Sequence, residues 1–444
     1  MNQNKFHSIK VAIITFGCQA NVFNASQLKT LLLSSGFEIV DEQIANVGIV
    51  ISCAVRKKPE DIALATAQKL ASSGKLAILT GCAPHFVKDR ISPDSNIILV
   101  PITEMYKIPN LIRTYYMKSE NLDNSAFLLN TESLTEPKLN IYTPEEFPSA
   151  FVAISEGCNN FCSYCAVPFA RSRERSVKPD EICKFIEKLA SSGYKLITII
   201  GQNVNSYGKD IGYSFLKLLK DIDSIPQNFW CFFTTSHPKD LSLEVVDFVM
   251  NSRKIGRWFH LPLQSASNRI LSKMNRPYTF EKYLEIVNYI KELDKNNFAT
   301  ITTDLMVGFP TETEDDFTKT LEAVKIIGFD GAYTYYYQER AGTFATRLPQ
   351  LPIELRKKRL EKLVETVMTL SKQQSKRFLN RSFEVIIEKK AKKGGWQARM
   401  FNNKVVVINK SHNLQLDKIA PSDKISVKIT DSRGWILLGI VEKE

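Results

Sequence analysis

No apolar run in this sequence approaches the roughly 18 residues that a helix needs to cross a bilayer, so a helical membrane span is excluded. Met1 to Lys10 are polar and the apolar run after them is short, which leaves no secretory leader to recognise. Without one, the eight cysteines read as reduced thiols of a cytoplasmic protein rather than as disulfides. A second CxxC to pair with Cys162 and Cys165 is missing, which argues against a structural zinc site. Acidic residues are in deficit: 47 Asp and Glu face 59 Lys and Arg, a net charge of +12. That balance favours a polyanionic partner, nucleic acid before membrane. At 444 residues, 44% of them hydrophobic, the chain has material for two to four domains with their own cores.

What is present is organised around Cys158-Asn159-Asn160-Phe161-Cys162-Ser163-Tyr164-Cys165. Three cysteines stand at spacings of four and three, just after a strand-like run, Phe151 to Ser155. Three thiolates on one turn can hold three corners of a four-iron cube and leave the fourth iron open to an exchangeable ligand. That suits binding and reducing a small molecule, whereas four ligands suit electron transfer alone. With Tyr164 before the last cysteine, the stretch resembles the signature of the radical S-adenosylmethionine enzymes. The resemblance implies that the open iron chelates S-adenosylmethionine, and that electron transfer splits it to a 5′-deoxyadenosyl radical.

In residues 1–145, short apolar runs (Lys10–Gly17, Val47–Ser52, Lys75–Gly81, Asn96–Pro101) alternate with helix-like segments (Asn24–Ser35, Pro59–Ser73, Thr103–Met117). Alternation of this kind predicts a parallel α/β sheet. Cys18, Cys53 and Cys82 each follow one of the first three runs, at what would be the carboxyl end of a strand. Those ends share one edge of a parallel sheet, where open α/β folds place their sites. The topology therefore predicts a second three-cysteine site; the alternative is three unrelated core thiols.

In residues 146–372, six strand candidates (Phe151–Glu156, Lys195–Gly201, Asn228–Ser236, Trp258–Gln264, Thr300–Val307, Gly331–Gln338) are separated by helical stretches. Six β/α units predict a partial TIM-like barrel with its chemistry at the carboxyl ends of the strands. Polar clusters fall at those ends: Gln202 and Asn203, Ser236 and His237, Gln264 to Ser267, and Gly308 to Thr313. Each could also be a helix-capping turn. Cys183 and Cys231 lie away from strand ends and read as core thiols. Arg171, Arg173 and Arg175 follow the cysteine loop, either as a substrate-facing group or as a solvated charge run.

Ile353–Phe378 reads as one amphipathic helix with Leu360, Leu363, Val364, Val367 and Leu370 on its packing stripe. Short β-rich runs follow (Ser382–Glu388, Lys404–Asn409, Lys424–Thr430, Trp435–Val441), so residues 373–444 predict a small β-barrel. From Lys376 onward there are 15 Lys or Arg against 7 Asp or Glu, an excess of +8. Basic small barrels grip nucleic-acid backbones, though a basic surface can also serve solubility alone.

Gly17-Cys18-Gln19-Ala20-Asn21, Ser52-Cys53-Ala54-Val55-Arg56 and Gly81-Cys82-Ala83 resemble the three cysteine motifs of the methylthiotransferases, a radical S-adenosylmethionine family. The family usually has Asn-Thr-Cys where this chain has Ile51-Ser52-Cys53, alanine where it has Pro59, and often glycine where it has Ser172. Residues 373–444 resemble a TRAM domain. Gln202 to Gly208 and Thr234 to Pro238 resemble the MiaB-type branch, which acts on N6-isopentenyladenosine beside the tRNA anticodon. Arg171 to Ser176 partly resembles the branch acting on N6-threonylcarbamoyladenosine.

The resemblance implies a radical [4Fe–4S] cluster on Cys158, Cys162 and Cys165 and an auxiliary one on Cys18, Cys53 and Cys82. It further implies S-adenosylmethionine cradled by Tyr164, Gln202, Asn203, Ser236 and Gln264, and substrate contacts from Arg171, Arg173 and Arg175. A monomer acting on tRNA, reduced by a flavodoxin or ferredoxin, is expected; no acid–base residue is required. The other branches, including one that modifies an aspartate of a small-subunit ribosomal protein, remain alternatives. So does a zinc-containing RNA-binding protein without catalysis.

Overall fold

Two six-residue runs, Val47–Ser52 and Leu76–Gly81, are buried along their whole length, as parallel strands covered on both faces must be. The computed structural model describes residues 9–17, 19–54, 57–118, 147–409 and 419–442. The chain divides into two compact units: residues 1–144 with Cys165–Arg173, and 145–164 with 174–444.

The first unit is built on one parallel sheet of β1 (Lys10–Phe16), β2 (Glu38–Ile39), β3 (Val47–Ser52), β4 (Leu76–Gly81) and β5 (Ile97–Leu99), in the order β2-β1-β3-β4-β5. Alternate side chains feed opposite faces. Val47, Ile49 and Ile51 pack with Leu28, Leu32, Ile108 and Ile112 on one side. Val50 and Leu79 pack with Ala63, Leu64, Ala67 and Leu70 on the other. The helices Gln19–Ser34 and Ile108–Lys118 therefore cover one face and Lys57–Ser72 the other. The two-residue β2 was not legible as a run.

The second unit carries six parallel core strands: β6 (Ser149–Ala153), β9 (Leu196–Ile200), β10 (Trp230–Phe233), β11 (Trp258–His260), β12 (Thr300–Val307) and β13 (Gly331–Tyr336). A small antiparallel pair, β7 (Ser155–Glu156) with β8 (Arg175–Ser176), brackets the cysteine loop. The core strands form two three-stranded sheets, β10-β9-β6 and β11-β12-β13. Between β10 and β11 the segment Lys254–Gly256 takes the place of ladder pairing: Cys231 N–H donates to Lys254 O at 2.7 Å and Gly256 N–H to Cys231 O at 2.8 Å. Cys231 is fully buried there and Cys183 half-buried on a helix.

The helix Ile353–Ser375 leads into β14 (Ser382–Lys390), β15 (Trp396–Met400), β16 (Val405–Ile408), β17 (Lys424–Arg433) and β18 (Ile436–Val441), a closed barrel in the order β14-β15-β16-β18-β17. Its interior is Val385, Ile387, Trp396, Ala398, Met400, Val406, Val427 and Leu437 with neighbours. Among the described residues no helix is long and apolar enough to cross a membrane.

Candidate active site

In the first unit, β3 and β4 end in register, Ser52 opposite Gly81, and a cysteine follows each. Cys82 N–H donates to Ser52 O at 2.8 Å, so Cys53 and Cys82 leave adjacent strand ends, both buried. The close approach depends on glycine. Gly17 has φ +119°, and a Cβ on it would stand 2.3 Å from Cys53 Cβ. Gly81 has φ +97°, and its Cβ would stand 2.4 Å from Ser52 O. Cys18 lies outside the described residues; Gly17, its neighbour in sequence, packs directly on Cys53.

Residues Cys165–Arg173 belong to this unit, with Ala166 and Ala170 packed on Ala54 and Cys82. The short helix Val167–Arg171 delivers Arg171, which is 4% exposed. Its Nε donates to Cys82 Sγ at 3.3 Å and its Nη2 to the side-chain oxygens of Asn21 and Asn24, at 3.3 and 2.8 Å. Asn21 is held by its own Nδ2 donating to Phe16 O at 2.9 Å.

In the second unit, Cys158 is buried and burial pushes its thiol up to about 11. Gly157 N–H, just before it, donates to Gln202 Oε1 at 2.6 Å, tying the cysteine loop to the end of β9. Arg276, also buried, donates to Cys162 Sγ at 3.7 Å, to Tyr164 Oη at 3.3 Å and to Pro262 O at 2.6 Å. Tyr164 packs edge-on to Phe309 from the end of β12.

The polar clusters at the strand ends divide into two kinds. After β11 and β12 they are largely spent on structure: Ser267 caps one helix, and Thr313 with Asp316 forms a capping box on another. After β9 and β10 they are not. Asn203 Oδ1, both amide atoms of Asn205, Ser236 Oγ and His237 Nε2 are buried with no protein partner, as is Ser155 Oγ beside the cysteine loop. Asn203 Nδ2 is fixed by Asp240 at 2.7 Å. His237 Nδ1 accepts from Lys239 N–H at 3.3 Å, which leaves the ring proton on Nε2. Burial, with the charges of Arg276, Lys239 and Lys209, holds this histidine down to about 2, so it is neutral at working pH. A row of buried, unsatisfied donors and acceptors is costly unless a polar ligand meets it. Backbone strain occurs after three of the strands: Thr235 after β10, Gln264 after β11 and Thr311 after β12 sit at φ +70°, +69° and +69° without being glycine.

Three family models match the chain in succession: the uncharacterised protein family UPF0004 over residues 10–100, the radical SAM superfamily over 152–324 and the TRAM domain over 376–441. The tRNA-2-methylthio-N(6)-dimethylallyladenosine synthase of Thermosipho melanesiensis is 36% identical over 98% of this chain and 99% of its own length. The protein of the same name from Thermoanaerobacter pseudethanolicus is 36% identical over 98% of this chain and 93% of its own. The chain belongs to the radical S-adenosylmethionine methylthiotransferase family. A solved structure, the radical S-adenosylmethionine methyltransferase TsrM from Kitasatospora setae, shares the fold with a TM-score of 0.56 at 14% identity, over 76% of this chain and 77% of that one.

Membership of this methylthiotransferase family implies a [4Fe–4S] cluster and S-adenosylmethionine. The residues present fit both. Three cysteines on one loop are the donor set for a cube with an open iron. The unsatisfied amide, hydroxyl and imidazole groups after β9 and β10 match a ligand rich in amino, carboxylate and hydroxyl groups. Among the described residues no three His, Cys, Asp or Glu side chains converge on a single metal ion; a cube holds each thiolate on a different iron.

The segment after the loop is split by burial. Arg173 and Arg175 are exposed, Arg175 lying 3.7 Å from Glu156. Glu174 between them turns in and accepts from Ser206 Oγ at 2.7 Å. Arg171 is neither a solvated charge nor on an open face, and the structure gives it a partner, Cys82, other than the expected substrate. Arg276, Asn21 and Asn24 escaped the sequence reading. Asn21 closes the Gly17–Asn21 motif, but nothing in that motif says that its amide oxygen accepts from Arg171.

Proposed function

We propose that the chain inserts a methylthio group at C2 of N6-isopentenyladenosine beside the anticodon of tRNA, the reaction class for which its relatives are named. Residues 1–145 would hold an auxiliary [4Fe–4S] cluster on Cys18, Cys53 and Cys82. Residues 146–372 would hold the radical cluster on Cys158, Cys162 and Cys165, and residues 373–444 the RNA. When bound, cluster and S-adenosylmethionine supply the radical that removes hydrogen from an unactivated C–H, chemistry beyond side chains.

The chain's own residues position and shield. Gln202 fixes the loop at Gly157; Asn203 and Ser236, with buried oxygens that no protein group meets, would line the cofactor's place together with Gln264 and Tyr164. Arg173 and Arg175, exposed beside the loop, are offered to the tRNA backbone. The basic C-terminal barrel is a second phosphate-binding surface. Reduction would come from a flavodoxin or ferredoxin acting on a cytoplasmic monomer. One observation carries transfer of sulfur rather than radical chemistry alone: a second pair of buried thiols, Cys53 and Cys82, at neighbouring strand ends with a guanidinium on one sulfur.

Anaerobically purified protein is expected to hold about eight irons, two cubes of four. tRNA from a strain lacking the gene should carry N6-isopentenyladenosine without the 2-methylthio group, read by nucleoside mass spectrometry. Alanine at any one of the six cysteines should abolish product and leave the circular dichroism spectrum unchanged. Full thiolation by a Cys162→Ala variant would refute the assignment, and a missing modification on threonylcarbamoyladenosine instead would move the chain to the other branch.

A further inference from the structure

Arg171 is the one side chain of the segment after the cysteine loop that is both buried and bonded to a thiol, and the proposed scheme gives it no task. Its guanidinium is gripped on one side by Asn21 and Asn24 and offers Nε–H to Cys82 Sγ. Two amide oxygens fix the plane of the fork, so the third N–H has one direction in which to point. The asparagines come from the helix Gln19–Ser34, which follows the Cys18 motif. One guanidinium therefore spans the first and third of the auxiliary cysteine motifs. The distance of 3.3 Å is that of a real N–H···S bond, and burial keeps water from screening the charge.

We infer that Arg171 is a positioning residue for the auxiliary cluster: it orients the Cys82 sulfur and places a fixed positive charge against that cluster, raising its reduction potential. The inference rests on the reading of Cys18, Cys53 and Cys82 as cluster ligands. Hydrogen bonds to ligand sulfur and nearby charge are the two levers by which a protein sets such a potential. Both stabilise the more negative, reduced state. Arg171 lies six residues after Cys165, so ligation of one cluster and tuning of the other are joined on a single short stretch.

The test uses full-length protein in which Cys158, Cys162 and Cys165 are all replaced by alanine, leaving only the auxiliary cluster. This background is compared with the same chain carrying Arg171→Gln or Arg171→Lys. Iron content and an electron paramagnetic resonance redox titration are read under anaerobic conditions. The background is expected to hold about four irons. Arg171→Gln should lower the midpoint so that reduction is at least tenfold less favourable, about 59 mV for one electron. Arg171→Lys, which keeps the charge but loses the fork, should fall between. An iron-loaded Arg171→Gln protein with an unchanged midpoint overturns the inference while leaving the cluster assignment standing. If Arg171→Gln does not fold or load iron, the lysine variant decides, and a midpoint equal to the background's overturns the inference. A background chain that folds but binds no iron overturns the cluster assignment itself, and this inference with it.

Discussion

Ser52 O occupies the space where a side chain on Gly81 would begin. At φ +97° an L-residue is strained in any surroundings, and here the backbone oxygen cannot swing away as a flexible side chain would. Gly81→Ala should cost the first unit about 2–3 kcal/mol and push apart the strand ends that carry Cys53 and Cys82. Iron should fall from about eight to about four per chain, with the radical cluster kept. Full iron and an unchanged melting temperature would show that the strand ends tolerate separation. At this scale the sequence is informative about where thiols fall and silent about what holds them. Cys53 and Cys82 could be placed because a strand end is a topological position, readable from the alternation of runs. Arg171 could not be paired with Cys82, 89 residues away, nor Arg276 with Cys162, 114 residues away. No local pattern encodes such a contact.

The helix Ile353–Ser375 shows the corresponding limit for an element. Its period was legible, and Leu363 and Val367 are buried as the stripe requires. Leu360, Val364 and Leu370 are only half-buried, and the rest of the buried row is Arg356, Arg359, Ser371 and Ser375. Hydrophobic periodicity misses them because this face meets polar loop ends as well as a core. Arg359 donates to Glu312 Oε1 at 2.7 Å and to Glu312 O at 3.0 Å, and Glu312 in turn accepts Gly308 N–H at 2.8 Å. The loop after β12 is thus clamped from the far side by the helix. Burial already pushes the Glu312 carboxyl up to about 7, so in Arg359→Met it takes a proton and the lost hydrogen bonds cost about 1–3 kcal/mol. The expected results are a lower melting temperature and weaker retention of S-adenosylmethionine in equilibrium dialysis. Unchanged dialysis in a destabilised protein would confine the clamp to a structural role. β15 is absent from the predicted runs: Trp396, Ala398 and Met400 face the barrel core, but they alternate with Gln397 and Arg399 over only five residues.

Within the second unit, the small barrel is joined to the core strands by backbone and buried charge. Arg257 N–H donates to Phe401 O at 2.9 Å, Thr300 Oγ1 to Asn402 O at 2.6 Å and Asn402 Nδ2 to Phe298 O at 2.7 Å. At the centre of this junction is Lys404, fully buried, its Nζ donating to Ser375 Oγ at 2.9 Å and lying 3.6 Å from Asp330 and 4.6 Å from the Trp435 ring centroid. Burial lowers its ammonium from 10.5 to about 8, against the opposing pull of Asp330. The unfolded chain keeps this proton up to about 10.5, whereas the folded chain releases it near 8. Below pH 8 the folded state carries the full cost of a buried charge, about 3 kcal/mol. Between pH 8 and 10.5 that cost is relieved, so this one group makes the unit more stable as pH rises. Lys404→Met removes the group, and Asp330 keeps Arg377, 2.9 Å away. Denaturant unfolding followed by tryptophan fluorescence reads this unit alone, because Trp230, Trp258, Trp396 and Trp435 are the chain's four tryptophans and all lie in it. Relative to the Met variant, the parent should gain about 2 kcal/mol between roughly pH 7.5 and 9.5. A gap that stays constant over that range would mean that water reaches Lys404 and that the small barrel and the core strands part more readily than their hydrogen bonds suggest.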